Sequence, residues 1–216
     1  MTDLQPLADA LIAGNADEVS QLTRRALDAG VPAEVVLEDG LIAGMKVIGV
    51  RFRDNIIFVP EVLVAARAMK AGLAHLEPIF AECGVEPAGR MVIGTVKGDI
   101  HDIGKNLVGM MLRGAGVEVI DLGINTSLQK FCDAVEANRP QLIGMSALLT
   151  TTMGQMRTNI AAFRERGYLE TARVMVGGAP VSEEYAATIG ADAYGKDASD
   201  AVDKAMKLLE SLKQAG

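Results

Sequence analysis

Beyond Arg90 the chain repeats a single pattern. A short apolar run, a turn and a stretch of helical periodicity recur at intervals of about two dozen residues. Apolar runs fall at Met91–Thr95, Val117–Leu122, Gln141–Ser146, Arg173–Gly177 and Ala193–Tyr194. Helical stretches are expected at Ile103–Gly114, Ser127–Asn138, Thr152–Arg166, Ser182–Ile189 and Ser199–Leu212. Strands joined by helical crossovers pair in parallel, because a short turn cannot return the chain to the same end of a sheet. This half is therefore expected to be an α/β domain with a doubly wound, five-stranded parallel sheet. Its ligand should lie beyond the carboxyl ends of the strands.

The first 84 residues read differently. A segment from Leu4 to Ala13 breaks at Gly14-Asn15, and Asp17 to Ala29 follows with Val19, Leu22, Ala26 and Leu27 near helical spacing. Pro32 opens a helix carrying Val35, Val36, Leu41, Met45 and Ile48, which ends at Arg53-Asp54-Asn55. Pro60-Glu61 opens the next, with Val62, Ala65, Ala66, Met69, Leu73 and Leu76. Short turns between helices predict an all-α four-helix bundle over residues 1–84. Pro, Gly and polar residues mark a linker at 85–90, leaving 91–216 for the sheet domain.

Composition excludes several kinds of protein. With two Cys and two His there is no disulfide framework and no zinc motif. No apolar run reaches the roughly 18 residues of a membrane span, and no basic stretch precedes an apolar one at the start. A cytoplasmic protein with no membrane association is expected. Residues 1–89 carry a net charge of -6 and residues 90–216 a net charge of -1. An acidic chain without basic clusters is a poor partner for nucleic acid.

Three strand ends carry the chemistry. After the first comes Gly98-Asp99-Ile100-His101-Asp102-Ile103-Gly104-Lys105-Asn106, after the third Ser146-Ala147-Leu148-Leu149-Thr150-Thr151-Thr152, and after the fourth Gly177-Gly178. A phosphate loop ending at Gly104-Lys105 would need Gly at 99 and Ser or Thr at 106, where the chain has Asp and Asn. The dinucleotide pattern of spaced glycines is also absent. What remains is one histidine between carboxylates. A single imidazole cannot hold a free metal ion, but it can be an axial ligand where a macrocycle fills the other positions. Asp99, two residues before His101, could take the proton on the far ring nitrogen and fix the tautomer.

Asp99-x-His101-x-x-Gly104, followed by Ser146-x-Leu148 and Gly177-Gly178, resembles the cobalamin-binding motif of corrinoid proteins and methionine synthase. The resemblance implies a Rossmann-like (flavodoxin-like) domain. It also implies cobalamin, as methylcobalamin or a related corrinoid, whose cobalt takes His101 in place of the cofactor's own dimethylbenzimidazole. The displaced nucleotide tail would run down a channel beside the sheet. By the same resemblance Gly98, Asp99, Ile100, His101, Asp102, Ile103, Gly104, Ser146, Leu148, Thr150, Gly177, Gly178 and Ala198 contact the cofactor. Thr152 stands where methionine synthase has the serine that completes a His-Asp-Ser chain. Met45-x-x-x-Gly49-x-x-Phe52 and Phe58-Val59-Pro60-Glu61-Val62 look like the helical cap that covers the methyl-bearing face. Phe52, Val59 and Val62 would shield that face, with Val59 where relatives carry Leu, and Glu38 would hydrogen-bond a corrin amide.

The function so implied is that of a methyl-carrier subunit, with the catalytic apparatus on its partners. Those partners would be a substrate-specific methyltransferase of barrel fold, a second methyltransferase to coenzyme M or tetrahydrofolate, and a reductive activator of cobalt(II). Rival readings are the small subunit of an adenosylcobalamin mutase, which lacks the cap, and a cobalamin-sensing regulator, which would need a DNA-reading module. A bare structural domain is the last. Other residues have plain roles: Glu61 in first-turn helix chemistry, His75 in helix packing, and Cys83 and Cys132 as buried, inert thiols.

Overall fold

A computed structural model describes residues 3–83 and 87–215, and the side chains of 3–80 and 87–214. The chain forms two compact units that divide between Pro87 and Ala88. Of the expected linker, residues 85 and 86 lie outside the described residues, while Gly89 and Arg90 are already strand.

The first unit is helical: α1 (Gln5–Ile12), α2 (Ala16–Asp28), a short α3 (Ala33–Val35), α4 (Ala43–Arg53) and α5 (Val59–Cys83). Asn15 opens α2 by accepting the Glu18 N–H at 3.2 Å, and the Glu18 carboxylate accepts from the Asn15 amide at 2.9 Å. Glu61 closes the start of α5 by accepting the Phe58 N–H at 3.1 Å, which is the helix-start role expected of it. His75 lies 2.7 Å from the Ser20 hydroxyl and so joins α5 to α2.

One feature departs from the expected continuous helix after Pro32. Residues Val36–Ile42 between α3 and α4 are π-helical. The fully buried Val36 and Leu41 are five residues apart, a spacing that puts both on one face only where the turn is widened. Next to it α1 comes close: a side chain on Gly40 would meet Leu7 at 2.6 Å.

The second unit holds β1 (Gly89–Thr95), α6 (Ile103–Gly114), β2 (Val117–Asp121), α7 (Leu128–Asn138), β3 (Leu142–Ser146) and α8 (Thr150–Glu165). A 3-10 turn at Tyr168–Glu170, β4 (Arg173–Gly177), α9 (Glu183–Ile189), β5 (Ala193–Gly195) and α10 (Ala198–Ala215) complete it. The strands pair in parallel in the order β2-β1-β3-β4-β5, the flavodoxin-like order. Successive residues alternate between two cores, as the pleat requires. Val92, Ile143, Val174 and Val176 face Phe131, Met156, Ile160 and Phe163 on one side. Met91, Ile93, Leu142 and Met175 face Leu112, Ala205 and Leu209 on the other. Phe131 and Phe163 meet edge to face, with centroids 6.1 Å apart. Cys132 is buried as expected, and burial pushes its thiol up, while the Cys83 side chain lies outside the described residues. Among the described residues no helix is long and apolar enough to cross a membrane.

The order reverses at β1 and β3, so the loops leaving them diverge and open a crevice at their carboxyl ends. At the end of β4 the chain passes so near β3 that a Cβ on Gly178, whose φ is +124°, would stand 1.9 Å from the Ala147 carbonyl oxygen. Gly178→Ala should therefore lower the unfolding free energy by about 3 kcal/mol or more, read from urea denaturation. An unchanged midpoint would mean that the two strand ends do not need this approach.

Candidate functional site

The loop from β1 to α6 is organised around Asp99, whose side chain is fully buried. Its Oδ1 accepts from His101 twice, from Nδ1 at 2.8 Å and from the backbone N–H at 3.1 Å. Its Oδ2 accepts from the Leu148 and Leu149 N–H groups at 2.8 and 3.1 Å and from the Thr152 hydroxyl at 2.8 Å. Leu148, Leu149 and Thr152 belong to the entry of α8, so the carboxylate ties the first and third strand ends together.

Burial alone would push the Asp99 carboxyl up. The hydrogen bonds, those from His101 first and then from Thr152 and Leu148, outweigh it and hold the group well below the usual carboxylate range. An ionised Asp99 requires a proton of His101 on Nδ1, so in the neutral ring the lone pair lies on Nε2. With 45 % of its side chain exposed, His101 can offer that nitrogen to a ligand. Thr152 has a further acceptor, the Leu149 carbonyl at 2.8 Å, so its one proton serves either this oxygen or Asp99. Among the described residues no three His, Cys, Asp or Glu side chains cluster to hold a bare metal ion.

Beside this loop a groove of about 510 Å³ runs along the carboxyl ends of the strands between α6 and α10. Of the expected contact residues, Ile100, His101, Asp102, Ile103, Gly104, Ser146, Leu148, Gly177 and Gly178 line it. Asp99 lies buried beneath His101, while Gly98 is exposed at the turn of the loop. Thr150 is exposed at the start of α8, and Ala198 is buried at the start of α10. Deeper lining comes from Met91, Ile93, Met175 and Ala201. Ile100 and Ile103 are 68 % and 79 % exposed, an apolar rim that water alone would not favour.

The remaining expected residues belong to the helical unit. Glu38 is exposed in the π-helical segment, Phe52 and Val59 are half-buried, and Val62 is fully buried. Phe58 and Ile56, in the turn between α4 and α5, are 62 % and 66 % exposed.

Several residues that hold the loop were not singled out by the sequence. Lys105 is almost fully buried and donates to both oxygens of Asp121 at 2.6 and 2.5 Å and to the Asn106 side chain at 2.6 Å. Asn106 in turn donates to Asp102 at 2.9 Å. The buried Thr95 gives its hydroxyl to the His101 carbonyl at 3.0 Å. A lysine that fails a phosphate-loop pattern, next to a loop rich in carboxylates, was the available signal for an internal ion pair.

The chain is similar to several known proteins. A B12 binding domain model matches residues 89–203, and a second B12 binding domain model matches residues 4–77. A corrinoid protein of Desulfitobacterium hafniense is 41% identical over 212 residues, covering 97% of this chain and 98% of its own. The dimethylamine corrinoid protein of Methanosarcina barkeri is 42% identical over 207 residues, covering 95% and 97%. Among solved structures, a chain of the methanol:cobalamin methyltransferase complex of Methanosarcina barkeri superposes with a TM-score of 0.87 at 29% identity, covering 96% of this chain and 79% of that one.

Because the folded-state pKa of Asp99 is depressed, its stabilisation is present above the unfolded-state value near pH 4 and lost as pH falls through the lower folded value. Urea midpoints at pH 7 and pH 3 should thus fall less for Asp99→Asn than for the wild type. Equal falls would contradict the carboxylate's part in this network.

Proposed function

The chain belongs to the corrinoid proteins built on B12 binding domains, with a corrinoid as cofactor, and on that premise we propose that His101 is the lower axial ligand of the cobalt in a methyl-carrying subunit. The observation that carries this reading is the Asp99–His101 pair, which makes Nε2 the lone-pair nitrogen of the neutral ring on a half-exposed side chain that lines the groove.

The residues present fit such a group. One imidazole suffices where a macrocycle supplies the equatorial nitrogens. The groove, with its apolar lining of Met91, Ile93 and Met175, would take a displaced nucleotide tail, and the exposed Ile100, Ile103 and Leu148 would offer apolar contact to the ring. When bound, the corrinoid supplies a cobalt centre that can accept a methyl group from one protein and yield it to another.

The chain's own work is to bind, orient and manage one proton. Asp99 holds the Nδ1 proton and the ring plane, and would make Nε2 a better donor to a cobalt held there. Asp99 accepts from both the ring and the backbone N–H of His101, so it would keep the imidazole aimed whether or not a cofactor is held. Thr152 can turn its proton toward Asp99 or toward the Leu149 carbonyl as the carboxylate's charge is more or less matched. In the helical unit, the half-buried Phe52 and Val59 and the exposed Glu38 are the residues that would meet the methyl-bearing side, while Val62 is fully buried.

Two proteins would meet this carrier in turn: a substrate-specific methyltransferase, and a second methyltransferase to coenzyme M or tetrahydrofolate. A reductive activator would restore cobalt(II) to use. The dimethylamine and methanol names of its relatives differ, which supports placing donor selectivity on the partner.

The protein reconstituted with hydroxocobalamin should show the spectrum of a base-off, histidine-ligated corrinoid. His101→Ala should shift that spectrum and weaken uptake by about tenfold or more; an unshifted spectrum would overturn the ligand role. Phe52→Ala should leave uptake largely intact and hasten photolysis of the methylated cofactor, whereas unchanged photolysis would remove Phe52 from the shield.

A further inference from the structure

The carboxylate of Asp99 can face His101 and α8 together only if the backbone at 98–100 is held in one orientation. Side-chain contacts explain half of this, since α8 grips Oδ2. The backbone itself is gripped from a fourth loop, the one leaving β2, which lies outside the three-loop pattern of the sequence. Asn125 accepts the Gly98 N–H on its side-chain Oδ1 at 2.8 Å, and its own N–H donates to the Asp99 carbonyl at 2.9 Å. One residue therefore takes both ends of the Gly98-Asp99 dipeptide.

The clamp is built into the sheet. Thr95 N–H donates to the Gly123 carbonyl at 2.9 Å, Thr126 N–H donates to the Thr95 carbonyl at 2.8 Å, and Val96 and Thr126 form a parallel bridge beyond the ends of β1 and β2. Asn125 sits in this extension with φ +49°, a left-handed conformation that asparagine tolerates better than most residues. Opposite it Gly98 has φ +85°. Lys105 secures the base of the same loop, because its partner Asp121 also accepts the Gly123 N–H at 2.8 Å. Asn125 is exposed, and nothing in packing demands a polar residue there.

We propose that Asn125 is a positioning residue for His101: by clamping the Gly98-Asp99 backbone it aims the Asp99 carboxylate, and so sets how firmly the imidazole coordinates cobalt. This rests on the ligand role given to His101 above. Asn125 does not line the groove, and its bonds to the loop go to the Gly98-Asp99 backbone, so it acts through Asp99.

Three variants separate the parts of the clamp. Asn125→Gly keeps the backbone conformation and the N–H but removes the acceptor; Asn125→Ala removes the acceptor and strains the backbone; Asn125→Asp restores an acceptor. In cofactor-free protein, the His101 Nδ1 proton should give an NMR signal protected by Asp99, weakened in Asn125→Gly and retained in Asn125→Asp. After loading with hydroxocobalamin and reduction to cobalt(II), the nitrogen hyperfine splitting of an axial imidazole reports ligation. The ratio of ligated to free histidine should fall about 2- to 10-fold in Asn125→Gly, the worth of one hydrogen bond, at least as far in Asn125→Ala, and recover in Asn125→Asp. A wild-type Nδ1 signal and wild-type splitting in Asn125→Gly would overturn the proposal. Wild-type protein that loads without imidazole splitting would instead overturn the ligand role, and the Nδ1 signal of the variants would still decide whether the clamp aims Asp99.

Discussion

The Asp99 carboxylate is the joint on which the site depends. It is buried, it is ionised, and it accepts hydrogen bonds from the backbone and side chains of two loops that are far apart in sequence. An unpaired carboxylate in that position would be too costly to keep charged. The surrounding donors thus make the charge tolerable, and the charge makes the donors converge. The tautomer of His101 and the closeness of α8 to the first loop both follow from this mutual requirement.

The fold supplies the convergence. In a parallel sheet of order β2-β1-β3-β4-β5, the loops after β1 and β3 leave neighbouring strands at the switch point, so a side chain on one can reach the backbone of the other. Thr95 pairs with Ser146 at the last rung between those strands, which brings Asp99 within reach of the Leu148 N–H. Gly178 lets the end of β4 come up against Ala147 and completes the floor of the groove.

Periodicity made the strands and crossover helices legible, since apolar runs such as Val92-Ile93 and Ile143 must be buried on both faces. The Asp99/His101 pair was legible because two residues of spacing allow a carboxylate to fold back on a ring nitrogen. The π-helical turn was written in the five-residue gap from Val36 to Leu41, but one irregular interval among helical ones is a faint signal. Lys105 and Asn125 were hidden for a different reason. Their partners, Asp121 and the Gly98-Asp99 peptide, are set by how the β2 loop runs beside the β1 loop, a tertiary fact with no local signature.

The rooting of the histidine loop has a consequence for how the protein opens. β1 is paired on both sides, by β2 and by β3, and its side chains contribute to both cores. The loop that carries Asp99 and His101 therefore springs from a strand whose amides should exchange with solvent only through large-scale opening, while His101 at its tip stays accessible. Loop and strand belong to opposite ends of the molecule's hierarchy of local stability. The loop tip can then shift by movements of side chains and a few peptide units, with the sheet beneath it still intact.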